Sequence, residues 1–374
     1  MTLVELLEKF DYVANHPKEM LEEYKKNGEK VVGTLPVYTP GELVHAAGMI
    51  PMGIWGGKVE IDKAKQYFPA FACSIMQSIL EFGLRGKYND LEAVIIPCMC
   101  DTLICMTQNW KSGVTVPMIP FVHPQNRKIQ AGVDYLVSEY ELVAQKLEAI
   151  SGIKITEERL SDSIEIFNDN KAALREFVNL APDYLNTITP YVRNTVIKSG
   201  FFMKKEEHTL LVRELNACLK SMPKEKFNGK KVLVTGIILD EKEILDIFEE
   251  NNLAIAYDNT AQESRQFMYD VPEEGKNAME RLARWWSIVE GCTLAYDPMK
   301  LRGKMIIDNV NKMGIDGVVY ALMKFCDPEE YDYPIVKKDL EDAGIPHLYI
   351  EVEQNATTIE QIRTRIQTFA EILG

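Results

Sequence analysis

Short apolar runs, each followed by a segment with helical periodicity, recur along the chain. The clearest is Ala93 to Pro97, a run bounded by a proline, which predicts a buried parallel strand. Asp101 follows this run as a candidate N-cap, and the pattern after it predicts a helix. Cys98 and Cys100 therefore lie where a strand is expected to end and a helix to begin.

The same arrangement recurs near the end of the chain. Residues 316–326 predict a second buried strand, with Asp327 as the N-cap of the next helix and Pro328 at its first position. Cys326 thus has the same place relative to its strand that Cys100 has. Cys73 lies near the start of a third predicted helix, whose apolar residues recur roughly at helical spacing.

Two longer blocks share one order of elements. After Lys30, a strand leads to a predicted capping box at Thr39, with a proline at the first helical position, and then to a helix and a second strand. From Lys231, a strand leads to Asp240 as the predicted cap of a helix, and another strand follows. Each block then continues through its strand–cysteine–helix arrangement to a final strand. This repetition predicts an α/β fold with two related parallel-sheet domains.

Changes in pattern divide the chain into four parts. Residues 1–30 predict an N-terminal helical segment, and residues 31–131 predict the first α/β domain. Residues 132–228 predict a helical connecting region, and residues 229–374 predict the second α/β domain. The helical region is expected to join the two sheets and to help hold the crevice between them.

Composition narrows the class of protein. The chain has 374 residues, 46% of them hydrophobic and 26% charged, as is ordinary for a globular protein with a sizeable core. Its net charge of −14 argues against binding to nucleic acid or anionic membranes, because phosphate groups would be repelled. The sequence shows neither a membrane-length apolar run nor a signal peptide, so a cytoplasmic location is expected.

The cysteines carry the candidate chemistry. Their count of seven is odd, and they are spread through the chain, so a disulfide framework is not expected. Ligands of open α/β sheets bind outside the carboxyl ends of strands, and a helix N-terminus is expected to lower a thiol pKa. If the fold brings Cys73, Cys100 and Cys326 together, three thiolates could hold an iron–sulfur cluster with one open position. Zinc with three cysteines and a water, or inert burial, are the alternatives.

Motifs along nearly the whole chain carry a family resemblance. They read IWGGKVEIDKAKQYFPAFACSIMQS, CDTLICMTQNWKS, FVHPQNRK, IKSGFFMKKEEHT, ERLARWWSIVEGC and MKFCDPEEYDYP. The sequence is similar to the (R)-2-hydroxyacyl-CoA dehydratase family, which also includes benzoyl-CoA reductase subunits. Its motifs look most like those of beta subunits that act with phenyllactyl-CoA or 2-hydroxyisocaproyl-CoA.

The resemblance implies a cofactor, partners and a reaction. It implies a [4Fe-4S] cluster in the crevice between the two sheet domains, held by Cys73, Cys100 and Cys326, with Cys98 as the alternative to Cys100. It further implies a heterodimer with a homologous alpha subunit, which would bind most of the acyl-CoA substrate. An ATP-dependent iron–sulfur activator protein would supply one electron for elimination of water through a ketyl radical, so that this chain would relay electrons.

Two other functions stay open from the residues. One is a benzoyl-CoA-reductase-type subunit, and the other is a two-domain module that binds a small ligand without a cluster. A dinucleotide site is poorly supported, because the glycines at strand ends do not form a GxGxxG motif. His45 and His123 are expected to be hydrogen-bonded side chains rather than proton carriers.

Overall fold

The computed structural model describes residues 1–354 and 359–374. The strands are β1 Val31–Thr34, β2 Ile50–Gly53, β3 Ala93–Cys98, β4 Met118–Val122, β5 Lys230–Gly236, β6 Leu253–Thr260, β7 Gly317–Met323 and β8 His347–Val352. The helices are α1 Leu3–Asn15, α2 Pro17–Lys26, α3 Gly41–Ala46, α4 Ser74–Leu84, α5 Asp101–Gly113, α6 Gln130–Ser151, α7 Glu157–Leu180, α8 Pro190–Ser199, α9 Lys205–Ser221, α10 Lys242–Glu250, α11 Ser264–Phe267, α12 Ala278–Ile288, α13 Leu301–Met313, α14 Asp327–Asp342 and α15 Ile359–Leu373.

The strands form two parallel sheets with the same topology. The first has the strand order β2-β1-β3-β4, and the second has the order β6-β5-β7-β8. In each sheet the first strand of the block pairs with the third, in registers that include Val32 with Ala93 and Val232 with Gly317. This repeated order confirms the prediction of an α/β fold with two related parallel-sheet domains.

The central strands are buried on both faces. Every residue of β7 is buried, and so are all residues of β3 except Cys98 at its end. A strand covered on both faces must be apolar throughout, which explains why the continuous apolar runs were recognisable in the sequence. The carboxyl ends of these two strands lead directly to α5 and α14.

Two predicted helix caps are wrong. The helix α3 begins at Gly41 with Pro40 as its N-cap, and the Thr39 hydroxyl instead donates to the Leu35 carbonyl at 2.6 Å. The cap of α10 is Glu241. The carboxylate of Asp240, the predicted cap, accepts a hydrogen bond from the Lys198 ammonium instead. A polar side chain near a helix start satisfies the nearest available partner, which local sequence does not identify.

The helices between the sheets pack them into one body. The helix α1 packs on α8, α7 packs on α9, and α6 packs on α12. The larger of two clusters of buried apolar side chains runs from Val32 of β1 through Leu215 of α9 to Val234 of β5. The smaller cluster lies within the second domain and includes Leu233 and Val318. No helix in the described part of the chain combines the length and apolar character needed to cross a membrane.

Candidate functional site

Three cysteines each immediately precede a helix. Cys73 is the N-cap of α4, Cys100 is the N-cap of α5, and Cys326 is the N-cap of α14. Asp101 and Asp327, which were predicted as caps, are instead the first residues of their helices. An acidic side chain in the first turn also stabilises a helix through the helix dipole. The acidic residue therefore marks the helix start correctly but lies one residue after the N-cap. Pro328 accordingly takes the second helical position.

The fold brings these cysteines together from distant parts of the sequence. The Cys100 thiol contributes to raising the pKa of Cys73, and Cys73 and Cys100 both contribute to raising the pKa of Cys326. These mutual effects indicate that the three sulfur atoms lie near one another, although their helices follow from different sheets. All three side chains are half-buried.

The expected lowering of the thiol pKa values is wrong for the free thiols. Burial raises the pKa of Cys73 to about 12, and burial also raises the pKa values of Cys100 and Cys326. Backbone N–H groups in the first turns of the helices act in the opposite direction. The desolvation of a thiolate outweighs those dipoles, so the free thiols are protonated at neutral pH.

The side chains do not form a ready-made site for a single metal ion. Among residues 1–354 and 359–374, no three His, Cys, Asp or Glu side chains are arranged as ligands of one ion.

Cys98 has different neighbours from the other three. It ends β3 opposite Val122, and its thiol pKa is raised by burial and then by Glu139 and Cys100. Glu139 in turn accepts a hydrogen bond from the backbone N–H of Val122. Cys98 is therefore oriented toward β4 and α6, whereas Cys100 is near Cys73 and Cys326. Cys105 is exposed on α5.

A buried polar clamp joins the two sheets beside Cys73. The backbone N–H of Gln354, just after β8, donates to the Ser74 hydroxyl at 3.0 Å, and the Ser78 hydroxyl donates to Gln354 Oε1 at 2.7 Å. Gln354 Nε2 donates to the carbonyl of Trp55 at 2.7 Å. This clamp was not predicted from the sequence, although two serines four residues apart on an otherwise apolar helix face are a recognisable signal.

A second buried network fixes the start of α14. The Arg302 guanidinium donates to Glu329 at 3.0 Å, to Asp332 at 2.9 Å and to the Tyr320 hydroxyl at 3.0 Å. Its other terminal nitrogen donates to Thr235 at 2.8 Å on the neighbouring strand. Since Glu329 lies in the first turn after Cys326, this network holds that turn against the second sheet. This network was not predicted from the sequence either.

The two histidines differ from each other. His45 meets the expectation, since its ring nitrogens lie 3.0 Å from the Ser163 hydroxyl and 3.0 Å from Glu206. His123 makes no hydrogen bond of normal geometry at either ring nitrogen among the described residues, and only the Tyr38 backbone acts to favour its charged form. Burial lowers the pKa of His123 to about 3, and its ring packs against Phe121 and Trp286. It is a neutral core side chain.

Comparison with known proteins gives one consistent family. The family model described as 2-hydroxyglutaryl-CoA dehydratase, D-component, matches residues 36–373. The chain is 48% identical to the lactoyl-CoA dehydratase subunit beta of Anaerotignum propionicum, over 98% of each chain. It is 46% identical to the (R)-phenyllactyl-CoA dehydratase beta subunit of Clostridium sporogenes, over 97% of each. It is 41% identical to the (R)-2-hydroxyglutaryl-CoA dehydratase subunit beta of Acidaminococcus fermentans, over 100% of each.

Proposed function

The chain belongs to the 2-hydroxyglutaryl-CoA dehydratase D-component family and is a subunit of a hydro-lyase, and we propose that it holds the [4Fe-4S] cluster of a beta subunit on Cys73, Cys100 and Cys326. The observation that carries the proposal is the meeting of these three helix-capping cysteines between two sheets. Each lies at the carboxyl side of a strand or at a helix N-terminus, where α/β folds bind ligands.

We propose a cluster rather than a single zinc ion because the motifs around Cys73, Cys100 and Cys326 resemble those of the (R)-2-hydroxyacyl-CoA dehydratase family. In such a cluster each iron binds one thiolate. Cys98 is a weaker candidate, because neither Cys73 nor Cys326 is among the groups that act on its pKa. Cys73 and Cys100, in contrast, both act on Cys326.

The protonation of the free thiols fits assembly coupled to proton release. Burial keeps the three thiols protonated, and coordination to a metal would deprotonate them outright. The backbone N–H groups at the three helix starts would then face bound thiolates rather than neutral thiols, a favourable arrangement for negative charge. When bound, the cluster would supply one-electron transfer.

The proposed reaction is the elimination of water from an (R)-2-hydroxyacyl-CoA to give the 2-enoyl-CoA, in anaerobic amino-acid fermentation. Three relatives are named for three different acyl groups, so the proposal extends to this substrate class and to no single member. The proposed partners are a homologous alpha subunit, which would bind most of the acyl-CoA, and an ATP-dependent iron–sulfur activator protein. In this complex the present chain would relay electrons.

Iron analysis tests the ligand set directly. The heterodimer is purified without oxygen, and iron, acid-labile sulfide and the electron paramagnetic resonance spectrum are measured for wild type and for Cys73→Ala in this chain alone. Loss of about four irons per heterodimer is expected, together with the matching sulfide. Cys105→Ser, which changes an exposed thiol on the helix that Cys100 caps, is the matched control and is expected to retain its iron.

Other results would redirect the proposal. Unchanged iron in Cys73→Ala would remove Cys73 from the ligand set, and iron loss in Cys98→Ser but not in Cys100→Ser would exchange those two residues. Product analysis addresses the reaction separately, because net reduction of the substrate would favour a benzoyl-CoA-reductase-type subunit. Absence of iron from this chain would favour the remaining alternative, a two-domain module that binds a small ligand without a cluster.

A further inference from the structure

A second possible binding site lies in a cavity of about 130 Å³ at the carboxyl ends of β1 and β2. Its walls come from the loop after β1, from helices α7 and α9, and from α12 beyond the second sheet. Among the residues that line it there is no cysteine, so it is separate from the proposed cluster site. At roughly 10–15 Å³ for each water-sized group, it has room for a small organic molecule.

The walls of the cavity are largely aromatic. They include Trp55, Phe167, Phe201 and Trp285. The ring of Phe201 lies 5.5 Å from that of Trp55, centroid to centroid, and the two rings are tilted by 56°. Such walls favour a flat or branched apolar group over a strongly hydrated one.

The charged groups in the cavity carry a net positive charge. Lys171 and Glu42 are buried and pair at 3.3 Å, so their charges offset each other. Lys205 also lines the cavity, and its ammonium donates to the carbonyl of Gly200 at 2.6 Å. Within the described part of the chain, Lys205 has no carboxylate as a salt-bridge partner. Burial lowers the pKa of Lys205 to about 8, and Glu42 acts in the opposite direction. The Lys205 ammonium also lies 5.7 Å from the ring centroid of Phe167 and 6.0 Å from that of Phe201.

One polar atom at the cavity also lacks a partner. Gln262 lines the cavity and is 1% exposed, and its Nε2 donates to Asp240 at 3.4 Å. Because a carboxylate can only accept, this contact fixes which end of the amide is the oxygen. Gln262 Oε1 has no hydrogen-bond partner among the described residues. Buried acceptors are normally satisfied and a carboxylate can only accept, so a water molecule is the donor expected at this oxygen.

We infer that this cavity binds a small organic carboxylate with an aromatic or branched apolar body. The carboxylate pairs with the Lys205 ammonium, and the apolar body lies between the aromatic walls. The cavity therefore favours a ligand that combines a single negative charge with an apolar body. Inorganic anions lack the apolar body, and a neutral amide lacks the charge, so both bind more weakly.

Calorimetric titration of the anaerobic heterodimer with phenylacetate tests the inference. One site per heterodimer is expected, with an affinity between about micromolar and millimolar. Phenylacetamide and acetate are expected to bind at least about tenfold more weakly, because each lacks one of the two recognised groups. Equal binding of phenylacetate and phenylacetamide would overturn the inference, as would no binding of phenylacetate up to about 10 mM.

Variants in this chain locate the binding. Lys205→Met removes the charge and keeps an apolar chain of similar length, and it is expected to weaken phenylacetate binding about tenfold or more. Lys204→Met is the matched control, because Lys204 is exposed and pairs with Glu29. Unchanged affinity in Lys205→Met would place the carboxylate elsewhere in the heterodimer and reject the site.

A second variant of Lys205 and the iron content separate loss of the cavity site from misfolding and from loss of the cluster. If Lys205→Met does not fold, Lys205→Gln retains a donor for the Gly200 carbonyl while it removes the charge, and the same loss of affinity is expected. Iron content measured on the same samples reports on the thiol site separately. Wild-type iron with weakened phenylacetate binding supports the cavity whether or not the cluster assignment is correct.

Discussion

At the scale of the residue, the three capping cysteines show how the site balances burial against helix dipoles. A half-buried thiol resists ionisation, yet each one faces the N–H groups of a helix start. A protein with free thiols therefore keeps three small neutral side chains at the junction of its sheets. Metal coordination would reverse the balance, because the charge on a bound thiolate is shared with the metal.

Glu241, the N-cap of α10, gives a prediction on pH dependence. Burial, followed by the neighbouring Asp240, raises the pKa of its carboxyl group from 4.5 to about 7. Between these two values the folded protein binds more protons than the unfolded chain, so stability falls as pH rises. Glu241→Gln removes this loss, and the variant is expected to gain on the order of 1 kcal/mol relative to wild type between pH 5 and pH 8, after allowance for solvent screening.

Urea unfolding at the two pH values measures this difference. Glu249→Gln, which changes an exposed carboxylate at the end of the same helix, serves as the control and is expected to track wild type. A parallel pH dependence in wild type and Glu241→Gln would show that the carboxyl group is more hydrated than its position indicates.

The positions of the cysteines at helix starts were predicted accurately from the sequence, but the burial of their thiols was not. The apolar runs and the acidic residues placed Cys100 and Cys326 at helix starts, with an error of one residue in the cap. The direction of the thiol pKa shifts was wrong, because the helix N-terminus is a local feature and burial is not. The extent of burial at Cys73 depends on packing between segments that are distant in sequence.

At the scale of the element, the buried polar clamp on α4 is expected to be sensitive to a single substitution. Ser78 donates to Gln354, and its oxygen also receives the backbone N–H of Gly57 at 3.3 Å. Ser78→Ala would leave the side-chain oxygen Oε1 of Gln354 and the backbone N–H of Gly57 without this partner. The free energy of unfolding is therefore expected to fall by roughly 1–3 kcal/mol, as measured by urea unfolding of the purified protein.

Ser112→Ala is the matched control for this substitution. The Ser112 hydroxyl donates to the carbonyl of Gln108 on an exposed helix face, where water can replace the lost group. Its effect is expected to stay within about 0.5 kcal/mol. If Ser78→Ala is equally mild, the clamp contributes little and the two sheets are held by apolar packing.

The clamp also explains why one glycine is needed. Gly56 has a φ of +78°, and a β-carbon added there would lie 2.1 Å from the Ser78 hydroxyl oxygen and 2.5 Å from Gln354 Oε1. The strands and helices around it were predictable from apolar periodicity, which is local. The meeting of α4 with the chain after β8 was not, because nothing in either segment identifies the other.

At the scale of the whole molecule, the two sheets share the larger of two buried apolar clusters, and the second domain also has a smaller cluster of its own. Each sheet alone would expose an apolar face, and helices outside the connecting region cover most of it, while α6 of the connecting region packs on β4. Sequence repetition predicted the two sheets, since the order of elements is the same in both blocks. It did not predict that their cores merge, because merging depends on the docking of the helices and not on either block.

A merged core predicts cooperative unfolding of the two sheets. Val32 of β1 and Val234 of β5 belong to the same buried cluster, and loss of either sheet would expose apolar surface on the other. Hydrogen exchange measured by mass spectrometry across a urea series is expected to give one midpoint for peptides from β1–β4 and from β5–β8. Peptides from the exposed surface of α15 provide the control for local opening. Earlier loss of protection in one sheet, with the other still protected, would show that the sheets unfold independently and that the shared cluster does not couple them.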